Sequence, residues 1–453
     1  MKSIHSKNIF LVLVLTFTIS AACVLSEAKT PQASITDQPT AEVKPSNTPY
    51  ILPSLIPTVE DTPTLPADTP TPVPENLVIP EESKALYQEL SSDLNQFEVK
   101  ISQQPKAKAK TTTFAVELAF ANGNAGEALL NPRVLEYSNI LLDRLQAMGV
   151  NGVVLGIKYP LLKKGFPRAG EYLKFYQAIT KMCHEHKIKV LVEAGAIFSG
   201  TPYSSVNVDW STETTDTFLQ GLQDQLVLIS TDIKPDYLTL ANEPTTEEAL
   251  THLSIPSDVW QTFLETTLKK VDHNDGTLYG AGSGTWEHPE YMKAAFNVSG
   301  LDYIDLHIYP FSKDAVFLDR AVNYTNQARA AGKKVVVSEC WLFKAGAGEL
   351  TTNILGNMEK VQNRDVFTYW TPLDTRYMDD MINLADSSQM DFVSFFWMRN
   401  LFYEMVYSPD TQNLTTEQYN QAMNQGAIKA VGAGETSDLG KAFQKTLARR
   451  SAK

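Results

Sequence analysis

Lys334-Val335-Val336-Val337-Ser338-Glu339-Cys340-Trp341 is a short β-branched run that ends on an acid. Three consecutive valines leave it no polar face, which is the composition of a strand covered on both sides in a parallel sheet. Seven other apolar runs accompany it: Phe114–Ala119, Gly152–Ile157, Lys189–Glu193, Tyr237–Ala241, Tyr279–Ala281, Tyr303–Ile308 and Phe392–Trp397. Amphipathic helical stretches separate them. Short strands alternating with helices in this number predict an α/β protein, a (β/α)8 TIM barrel spanning 113–453. An open doubly wound sheet is the competing arrangement. It is disfavoured by the turn after the first run, where Ala121-Asn122-Gly123-Asn124 lacks the pattern of a nucleotide-phosphate loop.

Upstream of the barrel the chain changes character. Lys2 and Lys7 precede an apolar run from Ile9 to Phe17, and Ser20-Ala21-Ala22 follow it. This order reads as a secretory signal peptide over residues 1–22, with an apolar run too short for a membrane span. Cys23, directly after small residues, resembles the lipidated cysteine of bacterial lipoproteins, although Ser20 stands where that pattern usually has Leu. Residues 23–82 are rich in Pro and Thr, as in Asp61-Thr62-Pro63-Thr64-Leu65-Pro66. Such a tract has little apolar surface to offset the entropy of ordering, so a disordered, extended tether is expected. Residues 83–112 hold a helix and a short polar link. Leu86, Leu90, Leu94 and Phe97 recur at helical spacing over 83–98.

A net charge of −13 over 453 residues argues against nucleic acid, whose phosphates demand clustered Lys and Arg. It argues equally against polybasic docking to anionic lipid. Three cysteines are too few for a disulfide framework, and Cys183 and Cys340 read as small buried hydrophobes. The close pair His184 and His186 does not share a helix face. We therefore expect no metal and no cofactor, and a monomer that meets a membrane only through an N-terminal lipid.

In a barrel of this kind chemistry sits at the C-terminal strand ends. The fourth run ends Ala241-Asn242-Glu243-Pro244 and the seventh ends in Glu339. A carboxylate emerging from an apolar strand is costly to desolvate unless it is paired or used. Two that face one cavity are what glycosidic cleavage needs, one protonated to assist the leaving oxygen and one ionised to attack. Large flat side chains that pack on sugar faces follow the strands closely at Trp286, Trp341 and Trp397. Glu193, ending the third run, either binds a sugar hydroxyl or serves as an ion-pair partner.

Asn242-Glu243-Pro244 followed by Glu339 resembles the clan-A retaining glycoside hydrolases over roughly residues 113–450. The resemblance implies that Glu243 is the acid/base, Asn242 the ligand of the sugar 2-hydroxyl and Glu339 the nucleophile. It implies that His307 and Tyr309 line the pocket, with Tyr309 bonding the nucleophile, and that Trp397 stacks on sugar. It also implies that Glu243 holds its proton near neutrality. One departure stands out: the clan often has an Arg near the end of strand two, and Lys158 occupies that position here. Lys supplies charge without a bidentate fork. The expected activity is cleavage of an oligo- or polysaccharide outside the cytoplasm. A transglycosylase with the same residues, or an inactive carbohydrate-binding surface lipoprotein, stays open.

Overall fold

The computed structural model describes residues 77–104, 111–309, 315–346, 349 and 354–451. The expected signal segment, Cys23 and the Pro/Thr tract up to residue 76 lie outside them. The chain enters through helix α1 (Glu81–Ser102). The barrel then runs β1 (Thr113–Glu117), α2 (Pro132–Ala147), β2 (Gly152–Gly156), α3 (Ala169–Glu185), β3 (Lys189–Glu193), α4 (Thr215–Leu228) and β4 (Tyr237–Thr239). It continues α5 (Pro244–Thr251), α6 (Ser257–Leu268), β5 (Leu278–Gly284), α7 (Pro289–Asn297), β6 (Tyr303–Ile308), α8 (Ala315–Ala330) and β7 (Lys334–Cys340). It ends α9 (Ile354–Arg364), α10 (Thr371–Ser388), β8 (Phe392–Phe395), α11 (Thr416–Ala433) and α12 (Asp438–Ser451). Among the described residues no helix is long and apolar enough to cross a membrane.

All eight strands pair in parallel in chain order, and β1 closes the ring on β8 with Thr113 opposite Phe392. Closure excludes the doubly wound sheet, which would leave two edges. The interior layer is Ala115, Val154, Leu191, Tyr237, Tyr303, Val336 and Phe392. The flanking Val335 and Val337 belong to the outer layer under the helices. The valine triplet is thus apolar throughout because both of its faces are buried. Tyr303 fills the interior across Gly280, where a Cβ would come within 2.0 Å of its ring.

The alternation then breaks in a useful place. Between β6 and β7 the register slips from Asp305 opposite Val336 to His307 opposite Glu339. A matching slip lies between β7 and β8, from Val337 opposite Val393 to Cys340 opposite Phe395. In a regular strand Ser338 and Glu339 would face opposite sides. The bulge lets both serve the barrel mouth, a common role for an extra residue beside a site.

Helix α1 is longer than its apolar period over 83–98 suggests. It buries Tyr87, Leu90, Leu94, Phe97 and Ile101, while Leu86 is only partly covered. It packs on α10, where Tyr87 stacks on Trp370 with centroids 5.6 Å apart. Arg376 of α10 bonds Ser91, Asn95 and Glu98 along one face of α1. Cys183 and Cys340 are free and buried.

Candidate active site

Strand β4 stops at Thr239, and the chain turns through Asn242 and Glu243 into α5, whose first residue is Pro244. Proline suits the first helical position and keeps the residue before it out of the helical region. Glu243 accordingly has φ −132° and ψ 70°. Strand β6 delivers His307 and, one residue past its end, Tyr309, while β7 delivers Ser338 and Glu339.

These side chains converge on one imidazole. Nδ1 of His307 lies 2.6 Å from Oε1 of Glu243 and 3.5 Å from Oε2 of Glu339. Sharing one nitrogen at 2.6 and 3.5 Å keeps those two oxygens within about 6 Å of each other. On the far side of the ring, Nε2 is 2.9 Å from the Ser338 hydroxyl, which donates to Asp305 Oδ2 at 2.7 Å. Thr239 donates to the same Asp305 oxygen, and the Ser338 amide donates to Oδ1. Tyr309 donates to Oε2 of Glu339 at 2.7 Å. Its ring stacks on Phe343 at 4.3 Å.

Charge is crowded here. Glu117 from β1 and Glu193 from β3 are almost fully buried beside the same group, and Lys158 follows β2. Burial alone would lower the pKa of His307, but Glu339, Glu193 and Glu243 outweigh it and hold the imidazole well above its usual range. For Lys158, burial is likewise outweighed by Glu193, Glu339, Glu247 and Glu117, so the ammonium is favoured. Burial pushes Glu339 far above the carboxylate range, with Glu193, Glu243 and Glu117 adding to it against His307. Burial also pushes Glu243 up, but His307, the Thr246 hydroxyl and Lys158 outweigh it and leave Glu243 below its ordinary value. Burial thus pushes Glu339 up while the imidazolium holds Glu243 down, the opposite order to that expected from the resemblance. His307 Nδ1 is nearer Glu243 by almost an ångström.

The remaining candidates separate clearly. Asn242 is buried, with its amide nitrogen 3.0 Å from His307 Nε2. Glu193 lies 3.7 Å from that same nitrogen, the position of an ion-pair partner. Burial raises its pKa, but His307 and Lys158 outweigh burial and hold it low. Trp286 is half-buried against Tyr309, with centroids 5.6 Å apart. Trp397 is half-buried with the Arg399 guanidinium 4.4 Å over its ring. Trp341 is the correction: it is 1% exposed, with Lys344 over its ring at 5.4 Å. The strand turns it into the core, and it is no substrate platform. Trp210 and Trp370 are also packed in the core.

Sequence reasoning passed over Ser338, Asp305, Glu117, Glu247 and Glu287. The first three sit inside or at the ends of apolar strands, a signal that was readable for Glu117. Glu193, His307 and Glu339 bring ligand-capable atoms within 4.8 Å of one another. His307 and Glu339 already engage Glu243, Ser338 and Tyr309, so we assign this trio to charge balance and place no metal there.

No family model matches the chain, and no curated protein matches it in sequence. Solved structures do. The GH5_18 protein of Bifidobacterium longum subsp. longum superposes with a TM-score of 0.50 at 14% identity, covering 76% of this chain and 80% of its own. The shared fold is the closed eight-stranded parallel barrel. A β-glucanase from Saccharophagus degradans is also similar, at 15% identity over 76% of this chain and 88% of its own, with a TM-score of 0.42. The likeness extends to the barrel fold, and an identity this low assigns no family.

Proposed function

We propose that the chain is a retaining glycoside hydrolase acting on an oligo- or polysaccharide, with Glu339 as nucleophile and Glu243 as acid/base. The observation that carries this reading is the meeting of both carboxylates at Nδ1 of His307, at 2.6 and 3.5 Å. Retaining sites set their carboxyls roughly 5–5.5 Å apart, whereas inverting sites need roughly 6.5–9.5 Å to admit a water. Two oxygens held by one nitrogen support the shorter class.

In the first step a Glu339 oxygen bonds the anomeric carbon as the bond to the leaving oxygen breaks, and Glu243 gives that oxygen its proton. In the second, Glu243 takes a proton from water, the water oxygen attacks the same carbon, and Glu339 leaves as carboxylate. The first step needs the proton on Glu243 and the charge on Glu339. Two carboxyls that share one imidazole require only the exchange of one proton to reach that state. Tyr309, donating to Glu339, favours its charged form.

The opposite shifts of the two carboxyls also favour a second reading, in which the two glutamates exchange roles. Trapping with 2-deoxy-2-fluoro glycosides, followed by peptide mass analysis, separates them. An ester on Glu339 is expected, and an ester on Glu243 would reverse the assignment. An inverted product anomer in an NMR time course would sink the retaining mechanism, and no cleavage of any glycan in a broad panel would sink the hydrolase reading.

We also propose that the protein is exported and anchored through a lipid on Cys23, supported by Ser20-Ala21-Ala22 before it and the Pro/Thr tract behind it. Mass analysis of the mature N-terminus decides this, and an unmodified terminus removes the anchor.

A further inference from the structure

Behind the acid/base residue lies a second buried carboxylate that the double displacement does not use. Glu287 follows β5 by three residues and is 3% exposed. Its Oε1 accepts the Thr245 amide at 2.9 Å and the Thr245 hydroxyl at 2.7 Å, and its Oε2 accepts the Gly284 amide at 3.3 Å. Arg320 fixes the turn that carries it, donating to the carbonyls of Thr285 at 2.9 Å and Glu287 at 3.2 Å. Thr245 is two residues beyond Glu243, in the first turn of α5.

We propose that Glu287 is a positioning residue that fixes the Glu243 carboxyl by clamping Thr245. The inference rests on the reading of Glu243 as acid/base. Glu243 sits between a strand that ended at Thr239 and a helix that begins at Pro244, so its direction depends on where that first turn is pinned. The Glu287 carboxyl holds the amide and hydroxyl of one residue and the Gly284 amide behind it, more than a single Ser or Asn cap would bond. Bonding the amide and hydroxyl of one residue gives what a single cap does not, a fixed orientation. Reaction geometry tolerates little error, and a displacement of about 1 Å can cost roughly 100-fold in rate. The neighbouring Trp286 lies against Tyr309, the donor to Glu339. One dipeptide therefore braces both catalytic carboxyls, each through one intermediate residue.

The test compares Glu287→Ala, Glu287→Gln and Thr245→Val with wild type on two aryl glycosides. One has 2,4-dinitrophenol as leaving group, which needs no acid, and the other has a poor leaving group. For Glu287→Ala we expect kcat/KM, which reports the glycosylation step, to fall about 100-fold on the poor leaving group, with less than a few-fold change in kcat/KM on the activated one. Gln keeps a carbonyl acceptor for Thr245 and should restore most of the loss. Thr245→Val, which keeps the amide bond and drops the hydroxyl, should give a smaller loss of the same selective kind, and it carries the test if the Ala variant does not fold. Equal losses on both substrates, or none on either, overturn the proposal. If wild type cleaves no glycoside, the hydrolase reading fails instead. Hydrogen exchange at the Thr245 amide then decides the clamp: faster exchange in Glu287→Ala supports it, and unchanged exchange overturns it.

Discussion

Nδ1 of His307 lies 2.6 Å from Oε1 of Glu243. This contact helps hold Glu243 below the ordinary carboxylate range, while burial pushes Glu339, 3.5 Å from the same nitrogen, well above it. Replacing His307 with Gln removes the cation and leaves Glu193, Glu243 and Glu339 facing one another. The Glu243 pKa should then rise, which a carbon-13 carboxyl titration reads directly. kcat should fall by about 10–100-fold, in line with roughly 1.5–3 kcal/mol for a hydrogen bond to a charged group.

Tyr309→Phe removes the donor to Glu339 and keeps the ring that stacks on Phe343. The packing therefore survives while Glu339 loses its hydrogen bond. We expect kcat/KM to drop about 10–100-fold with the melting temperature almost unchanged. A melting temperature that falls together with activity would show that Tyr309 acts through the fold.

Stability should fall as pH rises from about 5 to 8. Burial, then the charge of Glu243, pushes Glu287 up to about 8. Burial pushes Glu247 up to about 7, opposed by the Ala196 amide. In this window the unfolded chain has released protons that the folded protein keeps. The native state binds more protons, so the unfolding free energy declines with pH. His307 adds the same sign. Its raised pKa contributes stability that is complete below its ordinary value of 6.5 and is lost as pH climbs through the folded value. Thermal melts at pH 5.5 and 8 should show the higher midpoint at 5.5, and Glu287→Gln should narrow the gap.

The strands were legible because each is apolar on both faces, and the site was legible where a polar residue ends one of them. Glu243, His307 and Glu339 all meet that description. The limits have physical causes. Strand β5 runs from Leu278 to Gly284, longer than its apolar centre, because its glycines make room for β6 and carry no propensity of their own. Strand β4 ends at Thr239, earlier than its apolar run, although Leu240 and Ala241 still bond Gly280 and Gly282 of β5 on the way to Glu243. The bulge at Ser338 has no composition signature, yet it decides that Glu339 faces the mouth. Trp341, beside an acid at a strand end, suits a sugar platform and the core about equally in sequence, and the three-dimensional course sends it inward. The opposite shifts of the two carboxyls were beyond reach, since they turn on burial and on the neighbours that the fold gathers around His307. Glu287 gave no signal because its partner, Thr245, is 42 residues away.

The largest single stability effect should come from Lys344, in the loop after β7. Its side chain is fully buried and pairs with Asp365 and Asp374, themselves buried. The ammonium also donates to the Leu342 carbonyl at 2.8 Å and lies over Trp341. Burial pushes Asp374 up to about 7, with Lys344 opposing. Lys344→Met would leave two carboxyls facing each other in a dry environment. Breaking a buried pair from one side typically costs about 3–5 kcal/mol, because the remaining charge is uncompensated. The Met variant should therefore unfold at markedly lower denaturant near pH 7. Lowering the pH should recover part of the loss by protonating the orphaned acids. The triple variant Lys344→Met, Asp365→Leu, Asp374→Leu should be far less damaged than Lys344→Met alone, since it removes the charges together. Denaturant melts of the three proteins check the order. A triple variant that is no more stable than the single one would mean that the ions hold this loop by geometry that hydrophobic packing does not replace.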